Sequence, residues 1–560
     1  MNFALLFRQN LLFAFLIIFL LIFAVTNFDG YYFYDDTTYA YYAYQIKQGT
    51  FQIDNPDIFA HRWGLIVPLA FSYTIFGVSD FATILVPFLA TLTSFFLFYT
   101  WVKKNLHSPQ KEIALLLFTL DFYTLFFANK LYPDVLLTTL ILGAIILLWK
   151  RKNSFRKGLL FAFLNFWGFL CKETILFAMP FYIGVCIYDV LKRQNLHFWL
   201  SAFISGFALF ALYSIFYAYF TQTPFFKFTL IQAGHTDYVQ FRSEDFLLER
   251  LSYAPFLMFI QTGLIVSFAG ALLRIFALNR NLQNFTTFNT WFFALALLSF
   301  WFMPVDFRNY TPIYLLPRHI LFLVPLSAIV SAEVVCKKPY NIFTAILMFI
   351  SAVLAYQTLG WKVAILYACL AVLWLTSNPK REGECMTSPP SPLSKGEGER
   401  SLPIISLIGI KRAFRLHNFQ KLKNLLKFLK IEVLLLFFLL LHPVYTMLKP
   451  TETGYKYEKQ IFQTYQNLFQ QPCVVFTDDK LVSGHRWYFR FEVPQGVLFR
   501  NFEDLPQFAE SKFNKYVIIN EYSIAYFELI GTQFPEWVKK IPSNWRKISS
   551  FEKVHLYQIP

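Results

Sequence analysis

Residues 11–28, LLFAFLIIFLLIFAVTNF, form one unbroken apolar run, and residues 29–40, DGYYFYDDTTYA, follow it directly. A helix needs about 20 apolar residues to cross the hydrocarbon core of a bilayer. Arg8 precedes the run, and no small-residue cleavage site follows it, so we expect a retained first transmembrane helix. The adjacent carboxylates of Asp35 and Asp36 then lie just beyond the membrane, on the far side from the N-terminus.

The composition of the whole chain agrees with a membrane protein. Of its 560 residues, 56% are hydrophobic and only 15% are charged, and the mean hydropathy is +0.44. Soluble domains carry about 25% charged residues, so the lower charged fraction of this chain excludes a single soluble domain. Its high hydrophobicity excludes a disordered chain, because disorder needs low hydrophobicity. The net charge of +16 is first explained by basic cytoplasmic loops rather than by binding of nucleic acid, which we do not expect.

Apolar segments recur along the chain and predict an α-helical polytopic membrane protein with about 13 transmembrane helices. The segments are 11–28, 80–102, 112–128, 134–149, 157–171, 174–191, 198–220, 254–275, 289–303, 317–335, 340–357, 361–376 and 431–447. Lys and Arg concentrate in the loops on the same side of the membrane as the N-terminus. Because basic loops tend to stay in the cytoplasm, we expect the N-terminus of this cell-membrane protein in the cytoplasm and its C-terminus outside. We expect Leu65–Phe76 to lie on the outer surface as an amphipathic helix.

The predicted organisation has four parts. Residues 1–376 form the transmembrane domain, whose first outer loop is 29–79, and 377–430 form a cytoplasmic loop that is low in complexity and then basic. The last span, 431–447, precedes an extracytoplasmic α/β domain at 448–560. In that domain, Cys473–Thr477 and Tyr516–Asn520 are expected to be buried strands.

Carboxylates at the predicted outer turns are the first candidate site residues. Asp35 and Asp36 make a plausible catalytic or metal-binding pair, because a positioned carboxylate can accept a proton from a hydroxyl. Asp134 opens the helix after Pro133 on the same side. Capping is the alternative for both places, since Asp36 before a Tyr-rich helix is a good N-cap. Asp121, inside a span, should have a hydrogen-bond partner.

Basic residues at the same face suit a phosphate group. Arg318 and Tyr314 lie in the fifth outer segment, and a guanidinium offers a planar fork to phosphate oxygens. A snorkelling Arg among interfacial aromatics is an equally good explanation. Lys172 and Glu173 are adjacent and could simply neutralise each other, and a lone histidine such as His235 is more often structural than a ligand.

The ordered motifs together resemble a known family. They are an acidic pair with Tyr-Ala after the first span, Gly49, His61-Arg62-Trp63-Gly64, Pro68, Phe76-Gly77, Asp80-Phe81-Ala82, Tyr132-Pro133-Asp134, Lys172-Glu173 and Tyr314-Leu315-Leu316-Pro317. This set resembles the GT-C superfamily of polytopic glycosyltransferases, in particular relatives of the protein O-mannosyltransferases and of the lipid A aminoarabinose transferase. The resemblance covers roughly residues 1–360.

The resemblance implies roles for individual residues. Asp35 stands at the proposed catalytic base, Asp36 at the second acid of the pair and Asp134 at an outer acid near the active site. Arg62 and Tyr314 match residues that meet a lipid phosphate. Arg318 and Lys172 are further candidates for donor binding. His61 stands where relatives have a Glu that can hold a metal, so it is a candidate ligand of a possible divalent metal. His235, in the fourth outer segment, is a further candidate ligand.

The implied activity is inverting transfer of a sugar from a polyprenyl-phosphate donor to a hydroxyl of a glycan, lipid or protein acceptor, on the outer face and among membrane lipids. Two alternatives remain open. A transporter or flippase of lipid-linked sugars would need charged groups along a path through the spans, whereas the charges here collect at outer turns. A non-catalytic envelope assembly protein would use the C-terminal domain as a binding module.

Overall fold

The apolar run after Arg8 begins a bundle of helices that carries most of the chain. The computed structural model describes residues 3–28, 30, 34–239, 244–276, 282–306, 311–313, 315–336, 341–358, 364–365, 367–368, 371, 431–448, 453–508, 512–529 and 531–560. The predicted loop 377–430 lies outside these residues, and the predicted domain boundaries stay a prediction.

The bundle is built from helices of very different lengths. They are α1 (Phe3–Thr26), α2 (Tyr34–Gln48), α3 (Trp63–Phe76), α4 (Asp80–Asn105), α5 (Gln110–Thr119), α6 (Phe122–Phe127), α7 (Pro133–Trp149), α8 (Phe155–Cys171), α9 (Met179–Leu191), α10 (Leu196–Thr221), α11 (Phe226–Val239), α12 (Glu244–Leu251), α13 (Ala254–Gln261), α14 (Leu264–Phe276), α15 (Phe285–Phe302), α16 (Val324–Cys336), α17 (Asn341–Thr358) and α18 (Ile431–Leu448). Short 3-10 helices at Ile58–His61, Glu173–Ala178 and Pro317–Leu323 lead into α3, α9 and α16.

Several of these helices are long and apolar enough to cross a membrane. Within the described ranges there are five, namely Asp80–Asn105, Glu173–Leu191, Leu196–Thr221, Phe285–Phe302 and Pro317–Cys336. A sixth arises if α13 and α14, which meet at 111°, count as one broken span. Gly263 supplies the bend with φ of +73°, a conformation that favours glycine. The protein is therefore a polytopic membrane protein, and the number 13 stays a prediction.

One predicted span is broken where a carboxylate enters it. The apolar segment 112–128 divides into α5 and α6, and Asp121 is the N-cap of α6, where its Oδ2 accepts a hydrogen bond from Thr124 N at 2.8 Å. An N-cap carboxylate satisfies a backbone amide that the new helix leaves open. The prediction that Asp121 makes a structural hydrogen bond is confirmed.

Polar contacts hold the two ends of the bundle. At the end predicted to face the cytoplasm, Arg151 forms two hydrogen bonds with the buried carboxylate of Asp189, at 2.6 and 3.1 Å. At the opposite end, here called the outer end, Asn129 donates to the carbonyl of Ala24 at the end of α1. Removing either partner of a buried ion pair is costly, so the pair of Arg151 and Asp189 helps to fix the helices at that end.

Helix α3 departs from the sequence prediction in its polarity. Leu65, Leu69 and Tyr73 are fully buried on one face, but the opposite face exposes Val67 and Phe71. Both faces are apolar, so α3 is not amphipathic, and its exposed face is suited to lipid rather than to water.

The C-terminal region is a separate α/β unit around one five-stranded sheet. Two short strands, β1 (Pro304–Asp306) and β2 (Thr311–Pro312), pair in the bundle. The strands of the C-terminal unit are β3 (Cys473–Thr477), β4 (Val497–Asn501), β5 (Asn514–Asn520), β6 (Arg546–Phe551) and β7 (Val554–Ile559). They follow the order β4-β3-β5-β7-β6, with β3 parallel to β4 and β5. The helices of the unit are α19 (Tyr455–Thr464), α20 (Asp479–Tyr488), α21 (Glu521–Leu529) and α22 (Glu536–Lys539), with 3-10 turns at Gln466–Gln470 and Phe502–Phe508. The two predicted strands are confirmed, whereas the edge strand β4 was not predicted.

Candidate functional site

The acidic pair lies in the first turn of α2. This helix begins at Tyr34, so Asp36 lies inside the first turn and is not its N-cap, which makes the capping alternative for Asp36 wrong. Asp36 is 2% exposed. The backbone amides of a first helical turn favour nearby negative charge, so the start of α2 can accommodate both carboxylates.

Arg318 is brought to Asp35 from the far part of the chain. It lies in the 3-10 helix Pro317–Leu323, and its Nη1 is 2.8 Å from Asp35 Oδ2. Its guanidinium also lies 4.6 Å from the ring centroid of Tyr132, the residue before α7. Contact with an aromatic face and a carboxylate fixes the orientation of a guanidinium. Arg318 therefore joins α2 to the start of α7 at the outer end.

A second ion pair lies beside the first. Lys172 Nζ is 2.6 Å from Asp134 Oδ1, and the two side chains are only 6% and 3% exposed. Burial lowers the pKa of Lys172 to about 8, although Asp134 opposes this shift. The alternative explanations from the sequence do not hold, because Asp134 bonds a lysine rather than capping α7, and Lys172 pairs with Asp134 rather than with Glu173.

A third pair was missed in the sequence. Lys227, in α11, is fully buried, and its Nζ lies 2.7 Å from Glu173 Oε1 and 3.1 Å from the carbonyl oxygen of Phe169. The only signal in the sequence is a single lysine within the aromatic run 225–228, FFKF. A cation placed among aromatic residues at a membrane face needs a partner, which this signal alone does not identify.

Arg62 completes the set of cations. Its Nη1 donates a hydrogen bond to the hydroxyl of Tyr39, and its guanidinium lies 5.1 Å from the ring centroid of Phe59. Burial alone would lower the pKa of Arg62, but Tyr39, Glu173, Asp134 and Asp35 outweigh it and raise this pKa. For the Tyr39 hydroxyl, whose charged form is an anion, burial instead raises the pKa well above its ordinary value, so Tyr39 stays neutral.

Three buried polar atoms of the site have no hydrogen-bond partner within the described part of the chain. They are Nε of Arg62, Nε of Arg318 and Oδ2 of Asp134. Leaving a buried polar group unsatisfied costs roughly 1–3 kcal/mol, and more when it is charged. Two unsatisfied guanidinium donors and one carboxylate acceptor are suited to a ligand that carries an anionic group and hydroxyls.

The structure thus brings together Asp35, Asp134, Lys172, Arg62 and Arg318, which the sequence predicted as site residues. Asp36 follows Asp35 in the first turn of α2 and is buried. Tyr314 lies outside the described residues, and so does the side chain of His235. Chemically, the group offers carboxylates beside several cations in a mostly buried place, where charge interactions are stronger than in water.

His61 does not fit a metal ligand. Its Nε2 is 2.7 Å from the carbonyl oxygen of Asn55, which can only accept, so this nitrogen carries the proton. Its Nδ1 then accepts from the Tyr217 hydroxyl at 2.8 Å, and both ring nitrogens are engaged. Among the residues that the structure describes, no group of three His, Cys, Asp or Glu side chains could hold a metal ion. The suggested metal role of His61 is therefore not carried further.

Comparisons with known proteins show what the helical bundle and its outer end resemble. The family model described as "Dolichyl-phosphate-mannose-protein mannosyltransferase" matches residues 67–217. No curated protein matches the chain.

Solved structures give the second comparison. The chain is similar to ArnT from Cupriavidus metallidurans bound to undecaprenyl phosphate, with a TM-score of 0.51, 9% identity, and 97% of each chain covered. For the apo state of the same protein the TM-score is 0.51 and the identity 11%, covering 97% of this chain and 98% of the other. The resemblance to the GT-C superfamily is confirmed, and at these identities the structural likeness establishes the fold.

Proposed function

We propose that the protein is a membrane glycosyltransferase that takes a sugar from a polyprenyl-phosphate donor and passes it to an acceptor hydroxyl at the outer end. One observation carries the proposal: Asp35, a carboxylate, is ion-paired to Arg318 in a group that also holds Arg62, Lys172 and Asp134. The likeness to a structure solved with undecaprenyl phosphate and the match to a mannosyltransferase family model support the same donor class.

In the proposed reaction, Asp35 accepts the proton of the acceptor hydroxyl, whose oxygen attacks the anomeric carbon of the sugar. A new bond forms between that oxygen and the anomeric carbon. The bond from this carbon to the phosphate oxygen breaks, and the polyprenyl phosphate leaves with the electron pair. A single displacement inverts the anomeric centre. Arg318 orients the Asp35 carboxylate through its Oδ2.

The cations serve the leaving group. Arg62 and Arg318 each carry a buried Nε without a partner among the described residues, and both can donate to phosphate oxygens. Each preorganised donor aimed at growing negative charge is worth about 3–4 kcal/mol where such donors have been measured. Lys172, held by Asp134, adds positive charge beside them.

Asp134 is suited to the sugar rather than to the phosphate. Its Oδ1 is bonded to Lys172, whereas its buried Oδ2 lacks a partner in the described ranges and can accept from a sugar hydroxyl. A buried carboxylate that bonds a substrate hydroxyl discriminates strongly against an analogue without it, because the oxygen is then left unsatisfied. Deoxy sugars at that position should therefore be poor donors.

The test uses the full-length chain in lipid nanodiscs with a panel of polyprenyl-phosphate hexoses and pentoses, and it measures release of polyprenyl phosphate. Wild type should turn over at least one donor, and Asp35→Asn should lose about 100-fold or more, as expected for a general base. Asp54→Asn, which changes an exposed carboxylate of the same outer loop, should keep wild-type activity.

Equal rates for wild type and Asp35→Asn would remove Asp35 from the chemistry. If wild type turned over no donor but moved a labelled lipid-linked sugar between leaflets, the transporter alternative would replace the proposal.

A further inference from the structure

The C-terminal α/β unit contacts the outer end of the bundle through three aromatic residues, Tyr455, Trp487 and Phe491, which we call the docking patch. All three belong to one hydrophobic cluster with α2 and α3 and are 6–8% exposed. Tyr455 opens α19, and Trp487 lies near the end of α20. The docking patch therefore joins the C-terminal unit to α3 and to α2, the helix that carries Asp35.

The hydroxyl of Tyr455 bonds both parts of the protein. It donates to Asp80 Oδ1, at the first residue of α4, over 2.7 Å, and it accepts from Trp487 Nε1 over 2.7 Å. Lys459 Nζ lies 2.7 Å from the other oxygen of Asp80. The Tyr455 hydroxyl thus links Asp80 of the bundle to Trp487 of the C-terminal unit. These two hydrogen bonds fix the position of the Tyr455 ring.

The ring of Tyr455 packs against Gly30, which comes four residues before α2. A Cβ on Gly30 would lie only 2.3 Å from the Tyr455 ring, so no other residue allows this contact without movement. Gly30 also has φ of +89°, a conformation that side chains disfavour. Its backbone is therefore held by the ring of Tyr455 just before the helix that carries Asp35.

The docking patch also holds α2 further along its length. The ring centroid of Phe491 lies 5.8 Å from that of Tyr41 and 5.3 Å from that of Tyr44. The guanidinium of Arg486 lies 4.6 Å from the ring centroid of Tyr41, and the hydroxyl of Tyr44 donates to Glu492 Oε1 at 3.0 Å. The C-terminal unit therefore contacts the middle turns of α2 and also Gly30, which precedes this helix.

We propose that Tyr455 is a positioning residue: by joining the C-terminal unit to Asp80 and Gly30, it keeps the start of α2 where Asp35 meets Arg318. Tyr455 is not one of the residues that we propose to contact the donor or the acceptor, so its effect on the reaction passes through α2. A displacement of about 1 Å can cost on the order of 100-fold in rate when a catalytic group must be oriented. The kinetic part of this inference rests on the proposed function, whereas the structural part does not.

The experiment measures hydrogen exchange of the full-length protein in nanodiscs, by mass spectrometry, for wild type, Tyr455→Phe and Tyr455→Ala. The control is Tyr526→Ala, which removes a half-exposed tyrosine of the same unit. In Tyr455→Ala the amides of α2 should exchange about tenfold faster, since two hydrogen bonds and a ring contact are lost. Exchange in α10 should stay unchanged.

Tyr455→Phe keeps the ring against Gly30 and loses the hydrogen bonds of the hydroxyl, so it should accelerate exchange in α2 by roughly threefold. In the turnover assay Tyr455→Ala should lower kcat about tenfold while KM for the donor stays within about twofold, because Arg62 and Arg318, which we propose bind the phosphate, do not lie on α2. Tyr526→Ala should match wild type in both measurements.

Unchanged exchange of α2 in Tyr455→Ala would overturn the inference, whatever the enzyme does. If that variant exchanged faster everywhere, Tyr455→Phe would decide: a local increase in α2 supports the inference, and none contradicts it. If no donor were turned over by wild type, the proposed function would fail, but the exchange result would still stand or fall by itself.

Discussion

The buried pair of Lys172 and Asp134 gives the sharpest prediction on stability. Lys172→Met removes the ammonium 2.6 Å from Asp134 Oδ1, and both side chains are almost completely buried. Removing one member of a buried pair costs about 3–5 kcal/mol, because the other charge is left uncompensated. Arg318 also acts on the charge of Asp134, so we expect a loss near the low end, about 3 kcal/mol.

The matched control is an exposed pair with nearly the same distance. Lys539 Nζ lies 2.7 Å from Glu528 Oε1, with side chains 65% and 40% exposed. Lys539→Met should cost less than about 1 kcal/mol, since water screens such pairs. A double variant, Lys172→Met with Asp134→Asn, should recover at least half of the single variant's loss, because no buried charge remains unpaired.

The assay is urea unfolding in detergent micelles at pH 7, followed by tryptophan fluorescence and compared through a double-mutant cycle. The reasoning would be refuted if Lys172→Met and Lys539→Met cost the same, or if the double variant were as unstable as the two single losses added together.

Three further outcomes follow from the site. Burial lowers the pKa of Lys172 to about 8, so donor affinity should fall as the pH rises through this value and the ammonium loses its proton. Equilibrium binding of the donor between pH 6.5 and 9.5 measures this fall, and Lys172→Arg should abolish it. Arg318→Gln should lower kcat by about 100-fold or more, with partial activity in Arg318→Lys, whereas the exposed Arg500→Gln should match wild type in the turnover assay. Lys227→Met should lower the free energy of unfolding by about 3 kcal/mol, and adding Glu173→Gln should restore part of it; equal stability of Lys227→Met and wild type would contradict the third ion pair.

Much of the site could be read from the sequence because its residues are conspicuous locally. Charged side chains at the ends of apolar segments stand out, as at Asp35, Asp134 and Arg318, whereas the family resemblance alone implied the role of Arg62. Hydropathy also predicted the helical class, and a run of buried β-branched and aromatic residues predicted the central strands of the C-terminal unit. Each of these signals lies within a short segment of sequence, so it can be recognised without knowing how the chain folds.

The pairing of these residues could not be read, because it depends on packing between distant segments. Arg318 and Asp35 are 283 positions apart, and nothing in either segment identifies the other. Lys172 and Glu173 are neighbours in sequence, yet each pairs with a different part of the chain. The ion pair of Lys227 was not predicted because its partner, Glu173, lies in another helix. The sequence around a single buried cation does not identify the residue with which it pairs.

Breaks inside apolar segments were a second source of error. Hydropathy reports how apolar a window is, but not whether its backbone stays helical throughout. Asp121 starts a new helix within a predicted span by capping it, and Gly263 bends another segment by 111°. Both effects come from single residues whose side chain or backbone satisfies a local need, and a window average hides them.

A structure of the full-length protein with a bound polyprenyl phosphate tests the central claim most directly. The account predicts phosphate oxygens within about 3.2 Å of guanidinium nitrogens of Arg62 and Arg318, at the end of the bundle where Asp35 lies. Phosphate density at the opposite end, near Arg151 and Asp189, or density at the outer end without contact to either arginine, would contradict it.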